Sequence, residues 1–527
     1  MYRPVSFNSF GGGLNLKDQV DVVRSDQAID LLNVDFGVRG SISQRNGYTK
    51  WTDAAASADY DSIAPFYTTA GVAQVVAGYG GNLDALDSSG AVVATSTAPT
   101  VGPHFFTRFG GPASELLFCA NGTDQVRQWN GSAFSVPVWT VTAPTGKFVA
   151  VTGWDNRLLS AAHVGTTAAS NPSSLIFSDP GDPLAFRTTA PDLNYEQFTP
   201  GDGESITGMI AWREFVFVFK KTSFFVIYGT SVGQDGYPKL EYRRVAAGVG
   251  LAAPQAVCAS RDGVYFLDAS GVYRTRGQEP ELVSDAVEPI FQGEASEFYL
   301  GGTLADGVVS SCAMVAHDDK VYLAFSTGAT NDRMLVYDTA DKWWTLYDIP
   351  ARCLTTFGSG TEHPQILFGY ATGTNDIGSF NTHSDSDTSD AGEAITSRWR
   401  SGWFDYDDPG VKTIRESKLW AKGQFRVGIS KDFSYAVNRQ EAVDLGGASD
   451  LWGDGLGADD WGDGTDPTDL WGPSSVIEPY LSRIGIRGTV FSVSFSNDVL
   501  DQTFRVHRLA NYLREAKIKS TTKVDSL

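Results

Sequence analysis

Along most of the chain the apolar residues come in short runs broken by polar, glycine-bearing stretches, and few windows hold them at i, i+3, i+4 and i+7. Residues 25–32 and 284–291 are the two short stretches with helical spacing. Elsewhere the pattern predicts a mainly β protein. Residues 215–219 and 224–228, each an unbroken apolar and aromatic run, flank the polar stretch 220–223, which is the plan of a hairpin of two well-buried strands. Residues 264–267 and 272–274 make a second hairpin around Asp268, Ala269, Ser270 and Gly271, with turn residues where positive φ is wanted.

The second hairpin has an earlier relative, since Leu86, Asp87, Ser88, Ser89, Gly90, Ala91 and Val92 follow the same plan as residues 267–272. Residues 116–118 leading to 126–131, and 321–325 leading to 335–338 and then Trp343 and Trp344, are further units of this kind. Units of roughly 40 to 50 residues spread over 59–382 predict a β-propeller-like body of about six to seven blades. A stack of unrelated β-sandwiches is the alternative this pattern leaves open. Residues 1–58, rich in glycine and short on long strands, read as an N-terminal arm and assembly segment. Residues 383–390 lack apolar side chains and read as a polar linker.

Strand signals resume over residues 391–527, at 397–403, 418–421, 425–429, 489–495 and 504–507. Large apolar residues there alternate with polar ones, so a smaller β-sandwich or jelly-roll-like domain is expected. Inside it, residues 450–472 repeat an Asp/Trp/Gly unit three times, placing Trp452, Asp454, Asp459, Asp460, Trp461, Asp463 and Trp471 in one insertion. Its Trp residues suit a contact loop on a partner or membrane surface, or an insertion hairpin packed on the domain beneath. Its carboxylates, Asp466 included, are hard ligands for calcium, but the order and closing Glu of an EF-hand are missing.

Composition narrows the function classes. Of 527 residues, 42% are hydrophobic and 12% aromatic, enough for packed cores. No apolar run approaches the roughly 18 residues of a membrane span. Asp and Glu outnumber Lys and Arg by 62 to 41, a net charge of -21, which argues against a protein that wraps DNA by neutralising its phosphates. Cys119, Cys258, Cys312 and Cys353 each sit alone in apolar sequence, the habit of buried reduced thiols, and the six histidines are equally dispersed, so no metal or cofactor site is expected. The N-terminus lacks the basic-then-apolar order of a signal peptide, so synthesis in a cytosol is expected. No G-x-S-x-G, H-E-x-x-H or P-loop motif occurs, and the G-x-G-x-x-A string at 248–253 runs into Pro254 instead of a helix, so it reads as a turn. A non-enzymatic protein is expected, with a propeller glycan hydrolase as the weaker alternative.

An ordered N-terminal series carries a resemblance: Phe10, Gly11, Gly12, Gly13, Leu14 and Asn15, then Asp26 to Ala28, Leu32, Asn33, Val34 and Asp35, then Gly40 to Ile42, and Arg45, Asn46, Gly47 and Tyr48. It resembles the opening of tail nozzle and packaged-DNA-stabilisation proteins of short-tailed bacteriophages and related minor tail proteins. Residues 203–215, with Trp212, Arg213 and Glu214 at their end, and the hairpin from Gly263 to Leu267 are a second match, and Trp399 to Trp403 a weaker third. The resemblance implies a virion protein of the phage tail, made in the host bacterial cytoplasm. It also implies a homo-hexameric ring, continuing the DNA channel beyond portal and adaptor proteins, meeting fibre, spike or tip proteins, and passing genomic DNA without sequence-specific binding. The insertion at 450–472 departs from the pattern, and a tail-tip or fibre-docking protein that contacts host glycans is the alternative. An acidic wall suits such a conduit because it does not grip phosphates. The basic end of the chain, with Arg505, Arg508, Arg514 and Lys517, is expected either to pair with a neighbour or to stay as a solvated tail.

Overall fold

A computed structural model describes the chain except for residues 1–2, 38–39, 54, 98–100, 111–114, 139–147, 151–155, 162–171, 187–193, 200, 234–237, 361–362, 372, 384–386, 407–408, 435, 446–477 and 516–527. It divides into two compact units. One comprises residues 46–295 and 302–387, the other 1–45, 296–301 and 388–527. No helix among the described residues is long and apolar enough to cross a membrane.

The first unit is a seven-bladed β-propeller. Six antiparallel sheets follow one another along the chain, beginning with the strands Tyr60–Tyr67, Phe105–Gly110, Phe148–Ala150, Ile206–Trp212, Val257–Ser260 and Ala313–His317. The seventh joins Ala351–Phe357, Gln365–Tyr370 and Ile377–Phe380 to Tyr48–Lys50 as its fourth strand. The first strands of neighbouring sheets pack together in chain order, and that of the seventh packs on that of the first, which closes the ring. The propeller therefore begins inside the segment expected to be an arm. Its closing strand is three residues long, too short to announce itself by periodicity.

The fourth blade shows why its strands are continuously apolar. Val216, Val218, Phe225 and Ile227 pack with Leu159, Leu175 and Phe177 of the third blade. Phe217, Phe219, Phe224 and Val226, the alternate residues, pack with Leu251, Val264 and Phe266 of the fifth. Successive side chains point to opposite faces, so a blade covered on both sides needs apolar residues at every position. Each such side chain contributes about 1.5–3 kcal/mol on burial. At one end of the ring Gln255, just before the fifth blade's first strand, donates through Nε2 to the Asp61 carbonyl of the first blade at 3.0 Å. Its own carbonyl accepts from the Met314 amide of the sixth at 3.0 Å.

Of the two expected helices, one forms: a 3-10 turn Asp285–Val287 leads into Glu288–Gln292, with Gly293 left-handed at its end. The other does not. Ala28–Leu32 is a strand paired with Ser397–Ser401, buried at every position, so burial on both faces overrides its spacing.

That strand belongs to the second unit, expected as a β-sandwich or jelly-roll-like domain, whose strands are linked in one ten-stranded antiparallel ladder. Its centre is Lys412–Lys431, predicted as two strands and found as one. Its first half lies between Glu478–Gly488 and Phe504–Glu515, its second between Arg439–Leu445 and Phe491–Asn497. The change of partners falls at Gly423, whose φ of 89° and close approach to Thr503 no other residue tolerates easily. Within the segment expected as an arm, Arg3–Phe7, Ala28–Leu32, Val34–Gly37 and Ser41–Gln44 are strands of this sheet, Arg3–Phe7 and Ser41–Gln44 both pairing with Phe504–Glu515. The linker's end is likewise structured, Ser389–Asp390 pairing with Glu393–Ala394.

Candidate functional site

The residues of the N-terminal series up to Arg45 lie within the second unit, as fastenings. Gly12 donates its amide to the Asp26 carbonyl at 2.8 Å, and a Cβ there would lie 2.6 Å from Gln27 Cγ. A Cβ on Gly11 would press on Gly40 at 3.3 Å, and Gly13 is left-handed at φ 73°. Leu14, fully buried, bridges to Ala28. The Asn15 side chain donates to Asp18 at 2.8 Å and Gln27 at 3.0 Å, while its carbonyl oxygen accepts from the amides of Lys17 and Asp18. Asn33 turns the chain at φ 53°, donates to the Thr396 carbonyl at 2.7 Å, and accepts from Arg45 Nε at 2.8 Å. The Arg45 guanidinium, wholly buried, holds Asp390 through two further bonds. Gly47 falls in the propeller, donating its amide to the Asp387 carbonyl.

The second stretch of the resemblance also joins elements. Trp212 ends the first strand of the fourth blade and donates through Nε1 to the Ser260 carbonyl of the fifth at 2.6 Å. Arg213, left-handed at φ 54°, lays its guanidinium over the Trp212 ring at 4.4 Å. The string 248–253, expected as a turn, is irregular and non-helical, its Gly250 amide donating to Asp268.

Arg505, Arg508 and Arg514 lie on the strand Phe504–Glu515, so that part of the basic end is no solvated tail. Arg508 stacks on Trp420 at 4.9 Å, with Lys418 over the same ring at 5.1 Å. Lys422 sits directly across from Arg505. Next to them, burial first and then the charges of Arg505 and Lys422 lower the pKa of His507. Lys517 and the insertion residues Trp452, Asp454, Asp459, Asp460, Trp461, Asp463, Asp466 and Trp471 lie outside the described residues. All four cysteines are buried and unpaired, and burial pushes Cys312 and Cys353 up to about 12.

The fold brings together side chains that the sequence leaves dispersed. His317 ends the first strand of the sixth blade, Asp318 opens the following turn at φ 52°, and His383 follows the third strand of the seventh. Asp318 Oδ2 lies 3.3 Å from His317 Nε2 and 3.7 Å from His383 Nε2. The Thr382 hydroxyl sits between the rings, 3.2 Å from His317 Nε2 and 3.1 Å from His383 Nδ1. His363 stacks on His383 with centroids 4.7 Å apart. His317 is buried, which lowers its pKa although Asp318 acts in the opposite sense, while Asp318 and His383 face solvent. Three of the six histidines thus converge from positions 317, 363 and 383, and only the adjacency of His317 and Asp318 in a tight turn hints at it in the sequence.

No protein-family model matches the chain, and no curated protein matches it in sequence. Among solved structures it is similar to the protein of "BBS1N in complex with ARL6DN", at 11% identity over 59% of this chain and 75% of that one, with a TM-score of 0.26. It is also similar to the WD40 domain of Neurospora crassa Pan2, at 8% identity over 66% of this chain and 99% of that one, with a TM-score of 0.35.

Proposed function

We propose that the protein is a structural component of a bacteriophage tail, a nozzle or head-to-tail connector subunit that acts by assembling into a ring around the DNA channel. One observation carries the reading: the ordered series Gly11, Gly12, Gly13, Leu14, Asn15, Asn33 and Arg45 occupies buried or sterically closed positions that fasten the second unit. A resemblance carried by such positions belongs to a shared scaffold rather than to shared chemistry. The excess of 62 acidic over 41 basic residues fits a wall along which a duplex slides, since phosphates are gripped mainly by Lys and Arg. On this reading the channel runs between protomers, because the hydrogen bond from Gln255 to Asp61 reaches across one end of each propeller past two intervening blades. The neighbours would be portal-side or adaptor proteins above and fibre, spike or tip proteins below.

The test is assembly. Purified protein examined by analytical ultracentrifugation and electron microscopy, alone and with portal and adaptor proteins, is expected to form closed rings, six-membered on the resemblance, and antibodies should place it on the tail axis. A protein that stays monomeric under all these conditions and is absent from particles would overturn the proposal.

A further inference from the structure

We infer that His317, Asp318 and His383 form a binding site for a borderline divalent transition-metal ion, of which zinc is the representative, clipping the sixth blade to the segment that leaves the seventh. The donor set is chemically selective. Two imidazoles and one carboxylate suit zinc, cobalt or nickel, whereas magnesium and calcium prefer all-oxygen surroundings. One ligand atom from each of the three residues lies within 4.8 Å of the other two. Bonds of about 2.0–2.2 Å to a tetrahedral ion set ligand atoms roughly 3.3–3.6 Å apart. The 3.3 Å and 3.7 Å separations from Asp318 already approach that spacing, so rotation of the exposed His383 ring closes the set.

The hydrogen bonds to Thr382 admit a tautomer pair that offers both Nε2 atoms to an ion. Thr382 has one hydroxyl proton, so it donates to one histidine and accepts from the other. If it donates to His317 Nε2 it accepts from His383 Nδ1–H, and the His383 Nε2 lone pair is then left pointing toward the Asp318 carboxylate at 3.7 Å. Two electron-rich atoms facing one another are stabilised by a cation between them. Once an ion takes His317 Nε2, the Thr382 hydroxyl still accepts from His383 Nδ1–H and orients that ring, the second-layer contact metal-bound histidines require. His363, stacked face to face on His383, limits the ring's tilt without supplying a ligand. Asp318, left-handed at φ 52°, opens the two-residue turn between the paired His317 and Lys320, which sets its carboxylate beside His317. Three protein ligands leave a fourth position for water or for a donor from a neighbouring molecule.

The experiment uses the full-length protein, stripped with chelator and dialysed against cobalt(II) and, separately, zinc(II). One equivalent per chain, visible cobalt absorption of tetrahedral intensity, and a raised melting temperature with zinc are expected. Asp318→Asn and His383→Ala, both at exposed positions, should weaken binding by about tenfold or more and abolish the thermal gain. His363→Ala should keep the stoichiometry. Should the buried His317→Ala fail to fold, the two exposed variants decide the matter alone. Failure of the wild type to retain an equivalent, or binding in Asp318→Asn and His383→Ala equal to wild type, would overturn the site. Neither result bears on ring assembly.

Discussion

Arg45 and Asp390, 345 residues apart, are joined by two parallel hydrogen bonds, Nη1 to Oδ1 at 2.8 Å and Nη2 to Oδ2 at 2.6 Å. The arginine side chain is wholly buried and the aspartate 12% exposed. Removing one partner of such a pair leaves an uncompensated buried charge, at a cost of about 3–5 kcal/mol. Asp390→Ala is therefore expected to lower the unfolding midpoint of the second unit strongly. Arg45→Lys should lower it less than Arg45→Ala, because an ammonium keeps the charge but cannot span Asn33 and both carboxylate oxygens. An Arg45→Lys variant as stable as wild type, measured by guanidinium unfolding, would refute the fork.

In the propeller the corresponding pair is Lys220 with Asp202, at 2.7 Å. Lys220 is fully buried and donates also to Ser173 and to the Phe198 carbonyl. Burial tends to raise the Asp202 pKa, but hydrogen bonds from Lys220, Thr199 and the Glu204 amide outweigh it and hold the group at about 2, against 3.8 for a free side chain. A depressed carboxylate stabilises the folded state above its unfolded pKa and loses that contribution as pH falls through the folded one. The stability difference between wild type and Asp202→Asn should therefore be full above 3.8 and shrink toward about 2. A difference that does not change with pH in acid denaturation would contradict this account.

His507 gives a second test of the same sign at higher pH. Burial first, then Arg505 and Lys422, push its pKa below the ordinary value of 6.5. Protonation then costs stability, so the contribution is present at neutral pH and is lost as pH falls through 6.5. Lys422→Gln should raise the His507 pKa and reduce that loss, measurable by NMR of ring-labelled histidine. An unmoved titration would mean that Lys422 does not act on it.

What could be read in the sequence follows from the range of the forces involved. The propeller hairpins were legible because both faces of residues 215–228 are buried and their turns are local. The closing strand Tyr48–Lys50 was not, since its partner Ile377–Phe380 lies more than 300 positions away and its own three residues carry no periodicity. Lys220, read as a polar turn residue, is a strand end whose charge is buried on Asp202, a partner that only the folded blade supplies. His317 and His383 looked dispersed because side chains that converge from adjacent blades leave no spacing rule in the chain. The glycines at 11–13 were singled out from the sequence, but their place beside a sheet built from Ala28–Leu32, Ser397–Ser401 and Phe504–Glu515 depended on long-range pairing.

Gly423 marks where the twenty-residue strand exchanges partners. A Cβ there would stand 1.9 Å from the Thr503 carbonyl oxygen, at a φ of 89°. Gly423→Ala therefore combines backbone strain of about 1–3 kcal/mol with a clash against main chain that cannot rotate away. Gly485 is the control, since it is also left-handed, at φ 64°, but a Cβ would meet nothing within 4 Å. Gly485→Ala should cost only about 1–2 kcal/mol. Thermal unfolding of the two variants should separate them clearly, and equal losses would mean that the Thr503 contact is not what fixes the bend.

Ring closure yields the last prediction. Tyr48 packs its ring on Phe368 at 5.2 Å and Tyr370 at 5.8 Å, and is 9% exposed. Its strand pairs Tyr48, Thr49 and Lys50 with Phe380, Ser379 and Gly378. Tyr48→Ala removes a buried aromatic side chain, which costs about 3–5 kcal/mol. Because the seventh blade's other strands join the first blade, the loss should appear there before the rest of the ring opens. Hydrogen exchange in Ile377–Phe380 and Gln365–Tyr370 should accelerate more than in the fourth blade, whose core from Val216 to Ile227 is sealed by neighbours on both faces. Uniform acceleration across all seven blades would show instead that the ring unfolds as one cooperative unit and that Tyr48–Lys50 is not its seam.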